Sequence, residues 1–344
     1  MKKLLATTAL AGVVLGGSAF AQTTITGELR LGLKAISIDG TGSTSKRGFG
    51  NEMQINVQTK GKTNVGGLDY AAGFAMENDE DQTTTLFNEN TYFNFTNASS
   101  GTTLSFSRDH IQRSDSARNA AVMFGYDSAD IIDGAFIDNS SVLFQASPGA
   151  APGQSFGIAI IQDVGKLGKV SYNYVPERGS VGASEATPII DSESAYEIGF
   201  VGGLGVTGLN VYAFKNQMKM TPGQTKKAEA KNFGASYNIG QITGGYEYTK
   251  HNHTNTQLRG QDIKEKSYGL AYAVNKDLSV MVTMADAQRD TSAAKAKTKS
   301  LQLGYNLGPV ALTVGVAEFE NALGTTAVAE DSDKVGFARL IGAF

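Results

Sequence analysis

The residue types that carry covalent or metal chemistry are sparse in this sequence. Cysteine is absent, which excludes thiol nucleophiles, thiolate metal sites and disulfide frameworks together. The histidines number three. His110 stands close to Ser107, Asp109 and Ser114, so a serine–histidine–aspartate relay can be drawn. Such triads are assembled by tertiary geometry, however, and proximity along the chain does not make one. His251 and His253 would project to one side of an extended segment, but no third metal ligand accompanies them. Gly40-Thr41-Gly42-Ser43 lacks the lysine and the helix of a phosphate loop. No catalytic residue is therefore assigned, and the chain is expected not to be an enzyme. What the sequence does concentrate is charge of both signs around one segment. Arg108, Arg113 and Arg118 open it, and Asp127, Asp130, Asp133 and Asp138 follow. With Glu28 and Arg30 near the start of the chain, these residues can do work that makes no bond. Opposed acids and bases across a narrow, low-dielectric aperture set a transverse field that orients polar solutes and disfavours apolar ones.

Such a field requires elements that enclose an aperture. The chain has 344 residues, with 30 Lys and Arg against 33 Asp and Glu, a net charge of −3. It therefore lacks the positive excess that nucleic-acid binding demands. Residues 1–21 read as a secretory signal peptide: Met1-Lys2-Lys3 is a basic head and Leu4 to Leu15 an apolar run too short to span a bilayer. Ala19-Phe20-Ala21 then offers small residues where a signal peptidase cuts, so cleavage is expected after Ala21. Loss of Lys2 and Lys3 takes the net charge from −3 to −5. Residues 22–344 are expected to form one domain. Its 41 Gly and 6 Pro suit a chain of many tight turns.

No later apolar run is long enough for a transmembrane helix. Strict two-residue alternation recurs instead, between clusters of Gly, Asn, Asp and Ser. Leu301, Leu303, Tyr305 and Leu307 oppose Gln302, Gly304 and Asn306; Val310, Leu312, Val314 and Val316 oppose Ala311, Thr313 and Gly315. Near the start, Leu29, Leu31 and Leu33 oppose Glu28, Arg30 and Lys34, and Gln54 and Asn56 fall on the polar face of the next stretch with Glu52. The pattern is all-β, and it fits both a soluble sandwich and a transmembrane barrel, whose polar and apolar faces are exchanged. Connections discriminate. Those at 238–241, 273–277 and 306–309 are tight, whereas 176–193, 217–229, 251–264, 287–297 and 319–334 are long and polar. This asymmetry is expected of an outer-membrane barrel, as are the aromatic residues at many strand ends, which must form both interfacial girdles because the chain has no Trp.

The signal peptide, the opening stretch TITGELRLGLK, GTTLSFSR at 101–108, the long segment after it and the terminal KVGFARLIGAF together resemble the Gram-negative general diffusion porins. The resemblance spans the whole mature chain. It implies a transmembrane antiparallel barrel of 16 strands, a homotrimer in the Gram-negative outer membrane, and a long third loop folded into the lumen. It also implies that Arg108 matches the arginine ending the fifth strand of many porins, and that Phe344 is the terminal aromatic read by the barrel-assembly machinery. Seventeen stretches look like strands, one more than the family's 16, and the doubtful pair is 140–147 and 154–162. Residues 109–139, with Val122, Met123, Phe124 and Ile131, are too apolar to hang in water and are expected to be the constriction loop.

The function expected is passive diffusion of small hydrophilic solutes and ions. The alternatives are a substrate-selective outer-membrane channel, for which Tyr92 and Tyr212 on polar faces are the pointer, and a secreted β-rich adhesin. Partners expected are two further copies of the chain, outer-membrane lipid, lipopolysaccharide and the assembly machinery, with no nucleic acid. No cofactor is expected; Asp79-Glu80-Asp81 and Glu330-Asp331-Asp333 could hold Ca²⁺ on outer loops.

Overall fold

Wherever β-branched and aromatic residues alternate with polar ones, the chain is extended, because that pattern suits a sheet with two unlike faces. The computed structural model describes residues 22–38, 46–78, 87–108, 156–176, 178–179, 190–192, 194–218, 229–252, 262–290, 293–321 and 332–343. The strands are β1 (Gln22–Ile38), β2 (Lys46–Lys62), β3 (Leu68–Asn78), β4 (Phe87–Asn97), β5 (Thr102–Arg108), β6 (Phe156–Asp163) and β7 (Lys169–Val175). They continue as β8 (Arg178–Gly179), β9 (Ile190–Ser192), β10 (Ala195–Gly202), β11 (Leu209–Met218), β12 (Glu229–Ile239), β13 (Ile242–Asn252) and β14 (Asp262–Ala273). The last are β15 (Leu278–Arg289), β16 (Lys295–Asn306), β17 (Val310–Glu320) and β18 (Ser332–Ala343).

Among the described residues, all of these except β8 and β9 form one closed antiparallel barrel of sixteen strands, each paired with its neighbours along the chain. β8 and β9 pair only with each other. The seam is β1 against β18, in register from Glu28↔Ala343 to Ile38↔Asp333. An even strand number returns both ends of the chain to the edge that carries the short turns. The seventeenth stretch is resolved by the pairing itself. β5 bonds directly to β6, from Thr102↔Gln162 to Arg108↔Phe156, so the 154–162 stretch supplies a wall strand, and the closed barrel of the described residues has its sixteen with it. Residues 140–147 lie outside the described residues.

The short turns are built by local hydrogen bonding. Between β4 and β5, the Asn97 side-chain oxygen accepts from the backbone amides of Ser99 and Ser100 at 3.0 and 3.2 Å. Between β14 and β15, that of Asn275 accepts from Asp277 and Leu278 at 2.8 and 2.9 Å. These are Asx turns, the local alternative that Asn offers to a ladder.

Burial separates sandwich from barrel. The apolar set faces outward and is exposed, with Ile160 at 52%, Met284 at 55% and Val316 at 57%. The polar set faces inward and is buried, with Asn173 at 1% and Ser105 and Gln302 at 2% each. A water-soluble sheet protein hides its apolar face; this one displays it, as a wall in contact with lipid must. Rings gather on that outer wall at both heights: Tyr237, Tyr272 and Tyr305 near the short turns, and Tyr174, Tyr196, Phe233 and Tyr268 toward the long connections.

Candidate functional site

The lumen wall is the face that alternation turns inward, and its residues follow from register. On β1, Glu28 and Arg30 lie on this face, opposite Gln54 and Glu52 of β2. The Arg30 Nε donates to the Glu28 carboxylate. Gln54 donates to a Glu77 carboxylate oxygen at 3.3 Å, and Asn56 to the Gln54 side-chain oxygen at 3.5 Å. A polar chain thus crosses β1, β2 and β3 on the inside.

The opposite arc carries carboxylates held by neutral donors. Asn173, Glu197 and Asn216 are directly opposed on β7, β10 and β11. Both amides donate to Glu197, at 2.8 and 3.4 Å. One row along, Tyr212, Gly234 and Glu247 are in register on β11, β12 and β13. The Tyr212 hydroxyl donates to Glu247 at 2.6 Å across Gly234, and Thr249 donates to the other carboxylate oxygen at 3.3 Å. Gly234 is what permits that span: a Cβ there would lie 2.4 Å from the tyrosine ring. Phe214 covers Gly199 in the same manner, with 2.0 Å left for a Cβ. Glu265 on β14 completes the acidic arc, 1% exposed. Beyond it Thr283 and Ser300 share a hydrogen bond of 2.6 Å, and Gln302 donates to Ser300 at 3.3 Å. Arg339 of β18 stands in register with Gly32 and Thr313.

This arrangement holds no nucleophile with an attendant base. Among the described residues no group of His, Cys, Asp and Glu is placed to hold a metal. What it offers is a continuous succession of fixed donors and acceptors around a lumen, the surface that replaces solvent for a hydrophilic solute in passage.

Of the residues singled out in the sequence, Glu28 and Arg30 are brought together on the lumen face. Arg108 ends β5 opposite Phe156, and no register shift separates it from the Ser107↔Gly157 pair. Its register position is therefore that of Leu104 and Phe106. Arg113, Arg118, Asp127, Asp130, Asp133, Asp138, the whole of 109–139 and Phe344 lie outside the described residues. So do His110, His253, Gly40 to Ser43, and the loop acids apart from the backbone of Asp333. Glu77, Glu197, Glu247 and Glu265 were not singled out. The signal for two of them is visible in retrospect: in YEI at 196–198 and YEY at 246–248 a carboxylate is flanked by wall-facing apolar residues, which forces it inward.

Comparison with known proteins agrees with this geometry. A family model described as Gram-negative porin matches residues 6–322. No curated protein matches the sequence. Among solved structures, an anion-selective porin from Comamonas acidovorans superposes with a TM-score of 0.69 at 14% identity, covering 94% of this chain and all (100%) of its own. OmpF of Salmonella typhi, in complex with daunomycin, gives a TM-score of 0.65 at 10% identity over 94% of this chain and 98% of its own. A mutant of the Rh. blastica porin gives 0.60 at 14% identity over 94% and 100%.

Proposed function

This chain belongs to the Gram-negative porin family, and from that premise we infer a passive diffusion channel of the outer membrane, admitting small hydrophilic solutes and ions down their gradients. The carrying observation is the reversed burial: an exposed apolar outer wall around a lumen face of hydrogen-bonded polar residues. Diffusion through a fixed aperture requires no cofactor and no turnover chemistry. Width is set by what folds inward, and we assign that role to 109–139, with Asp127, Asp130, Asp133 and Asp138 facing the basic residues. Export by the 1–21 segment with cleavage after Ala21, and recognition of Phe344 during assembly, complete the reading. For a homotrimer, the support is the face where β18 meets β1. There Leu29, Leu31 and Leu33 stand beside Gly336, Ala338 and Gly342, small residues that allow walls to approach closely.

The substrate-selective alternative gains nothing from Tyr212, which is 2% exposed and bonded to Glu247, so it offers no open stacking surface. The test is conductance of the detergent-purified protein in a planar bilayer under a salt gradient. Current steps arriving in threes are expected, with a reversal potential whose sign reports the lumen's net field. Folded, heat-modifiable protein that carries no current would overturn the channel reading.

A further inference from the structure

The seam that closes the barrel is unequal on its two sides. β1 pairs with β2 from Gln22↔Lys60 to Ile36↔Lys46. β18 joins β1 only from Glu28↔Ala343 upward. Gln22 to Thr26 therefore bond to β2 alone among the described residues, and their other edge presents backbone N–H and C=O groups outside any ladder. Sheet proteins blunt such an edge with lysine, proline or a bulge. Gln22-Thr23-Thr24-Ile25-Thr26 has no charge and no proline, and its register with β2 is unshifted. Thr23, Thr24, Ile25 and Thr26 are all β-branched, the type that favours strand pairing. An open edge of good strand formers, without these devices, is a template for one more strand.

The edge stands in water, on the side of the short turns. Gln22 faces Lys60, and β2 runs on to Lys62 before its turn at 63–67, with both lysines exposed. Open backbone at this height is solvated, as it could not be in hydrocarbon. Beside the edge, at the foot of β18, a cavity of about 510 Å³ is lined by Ile341, Ala343, Val310 and the turn residues Asn306, Gly308 and Pro309. Side chains along the edge fall into two sets. Ile25 points outward with Val57 in register, while Gln22, Thr24 and Thr26 share the lumen-facing parity of Glu28. On that polar side Lys62 has Asp69 opposite it, whereas Lys60, opposite Gln22, has no ion pair among the described residues.

We propose that residues 22–26 of β1, with the cavity at the foot of β18, form a docking site for an extended peptide segment of a periplasmic protein, which adds to the barrel as a strand antiparallel to β1. The peptide alternates apolar and polar residues and carries an acidic side chain toward Lys60. Main-chain hydrogen bonds along the open edge supply the affinity. Alternation supplies the specificity, with Ile25 met on one face, Lys60 on the other, and one side chain entering the cavity. A second copy of the chain does not fit the edge. Barrels inserted the same way round present β1 strands running in the same sense, so two of them cannot pair antiparallel. The site opens to the periplasm under the outer-membrane reading above, from which its failure is separable: a protein that conducts but binds no peptide refutes only the site.

The test uses the mature protein in detergent with a fluorescent peptide of alternating valine and glutamate, its valine–lysine counterpart, and a backbone N-methylated valine–glutamate peptide. Anisotropy reads binding, and hydrogen–deuterium exchange reads the amides of residues 22–26. The acidic peptide should bind, slow exchange at those amides, and bind about fivefold more tightly than its lysine counterpart, as one exposed ion pair allows. Lys60→Glu should reverse that preference, with protection by the lysine peptide at the same amides. The N-methylated peptide should not bind, because it has no N–H to donate to the edge. Amides at 22–26 that already exchange slowly without peptide would overturn the proposal. Binding without protection there, equal binding of the N-methylated peptide, or an unchanged preference in K60E would overturn it as well.

Discussion

Tyr212 and Glu247 are separated by an entire strand, and only the missing side chain of Gly234 lets a phenol hydroxyl cross it at 2.6 Å. Replacing Gly234 with Ala therefore acts on a hydrogen bond in which the glycine takes no part. The added methyl enters the ring's volume, so G234A should destabilise the barrel by about 1–3 kcal/mol, seen as a lower temperature for loss of the folded band on gels. Tyr212→Phe leaves the packing and removes the donor to a buried carboxylate. Its expected cost is about 1.5–3 kcal/mol, measured by the same assay. If G234A and Y212F prove additive when combined, the two residues are not acting through one contact. Gly199 beneath Phe214 is a second instance, where F214L should rescue G199A by vacating the clash.

A strand of this barrel has two environments one residue apart, and adjacent positions must respond differently. On β15, Val282 faces outward at 41% exposure and Thr283 faces inward, bonded to Ser300. Val282→Arg should cost about 2–4 kcal/mol, since an arginine near the bilayer midplane is poorly solvated. Thr283→Arg should leave membrane insertion intact and move the reversal potential toward anion preference, read in the bilayer experiment. Equal destabilisation by both would contradict the assignment of faces. The element scale also explains why strand positions were readable. The alternating residues Val310 to Val316 all fall within Val310–Glu320, and Leu301 to Tyr305 within Lys295–Asn306. Alternation is imposed by lipid on one side and water on the other, and it ceases where a strand leaves the bilayer.

For the whole molecule, closure makes the terminal strand indispensable. β18 pairs with both β1 and β17, so deleting 332–344 frees two edges at once. Unpaired backbone has no partner in hydrocarbon; the truncated chain should yield no heat-modifiable species in detergent refolding. Neutralising the loop acids as D127N/D130N/D133N/D138N should instead preserve the folded band and shift ion selectivity away from cations, if 109–139 lines the aperture. An unchanged reversal potential would remove those residues from the constriction.

Composition, alternation and the lengths of connections were sufficient to identify an all-β wall and an apolar set meant for lipid, because each is a property of residues near one another in the chain; alternation alone counted seventeen strands, and sixteen came from the family resemblance. Which of two doubtful stretches belongs to the wall was settled only by pairing, when β5 met β6 across 47 intervening residues. The partners of the lumen's carboxylates are likewise a tertiary result. Nothing local announces that Asn173 and Asn216 flank Glu197, or that Tyr212 reaches Glu247 over a glycine. Nor does it reveal that Gln22 to Thr26 are paired on one side only among the described residues. Cross-strand register is fixed by hydrogen bonds between segments distant in sequence, and a shift of one residue would exchange every lumen residue for a lipid-facing one.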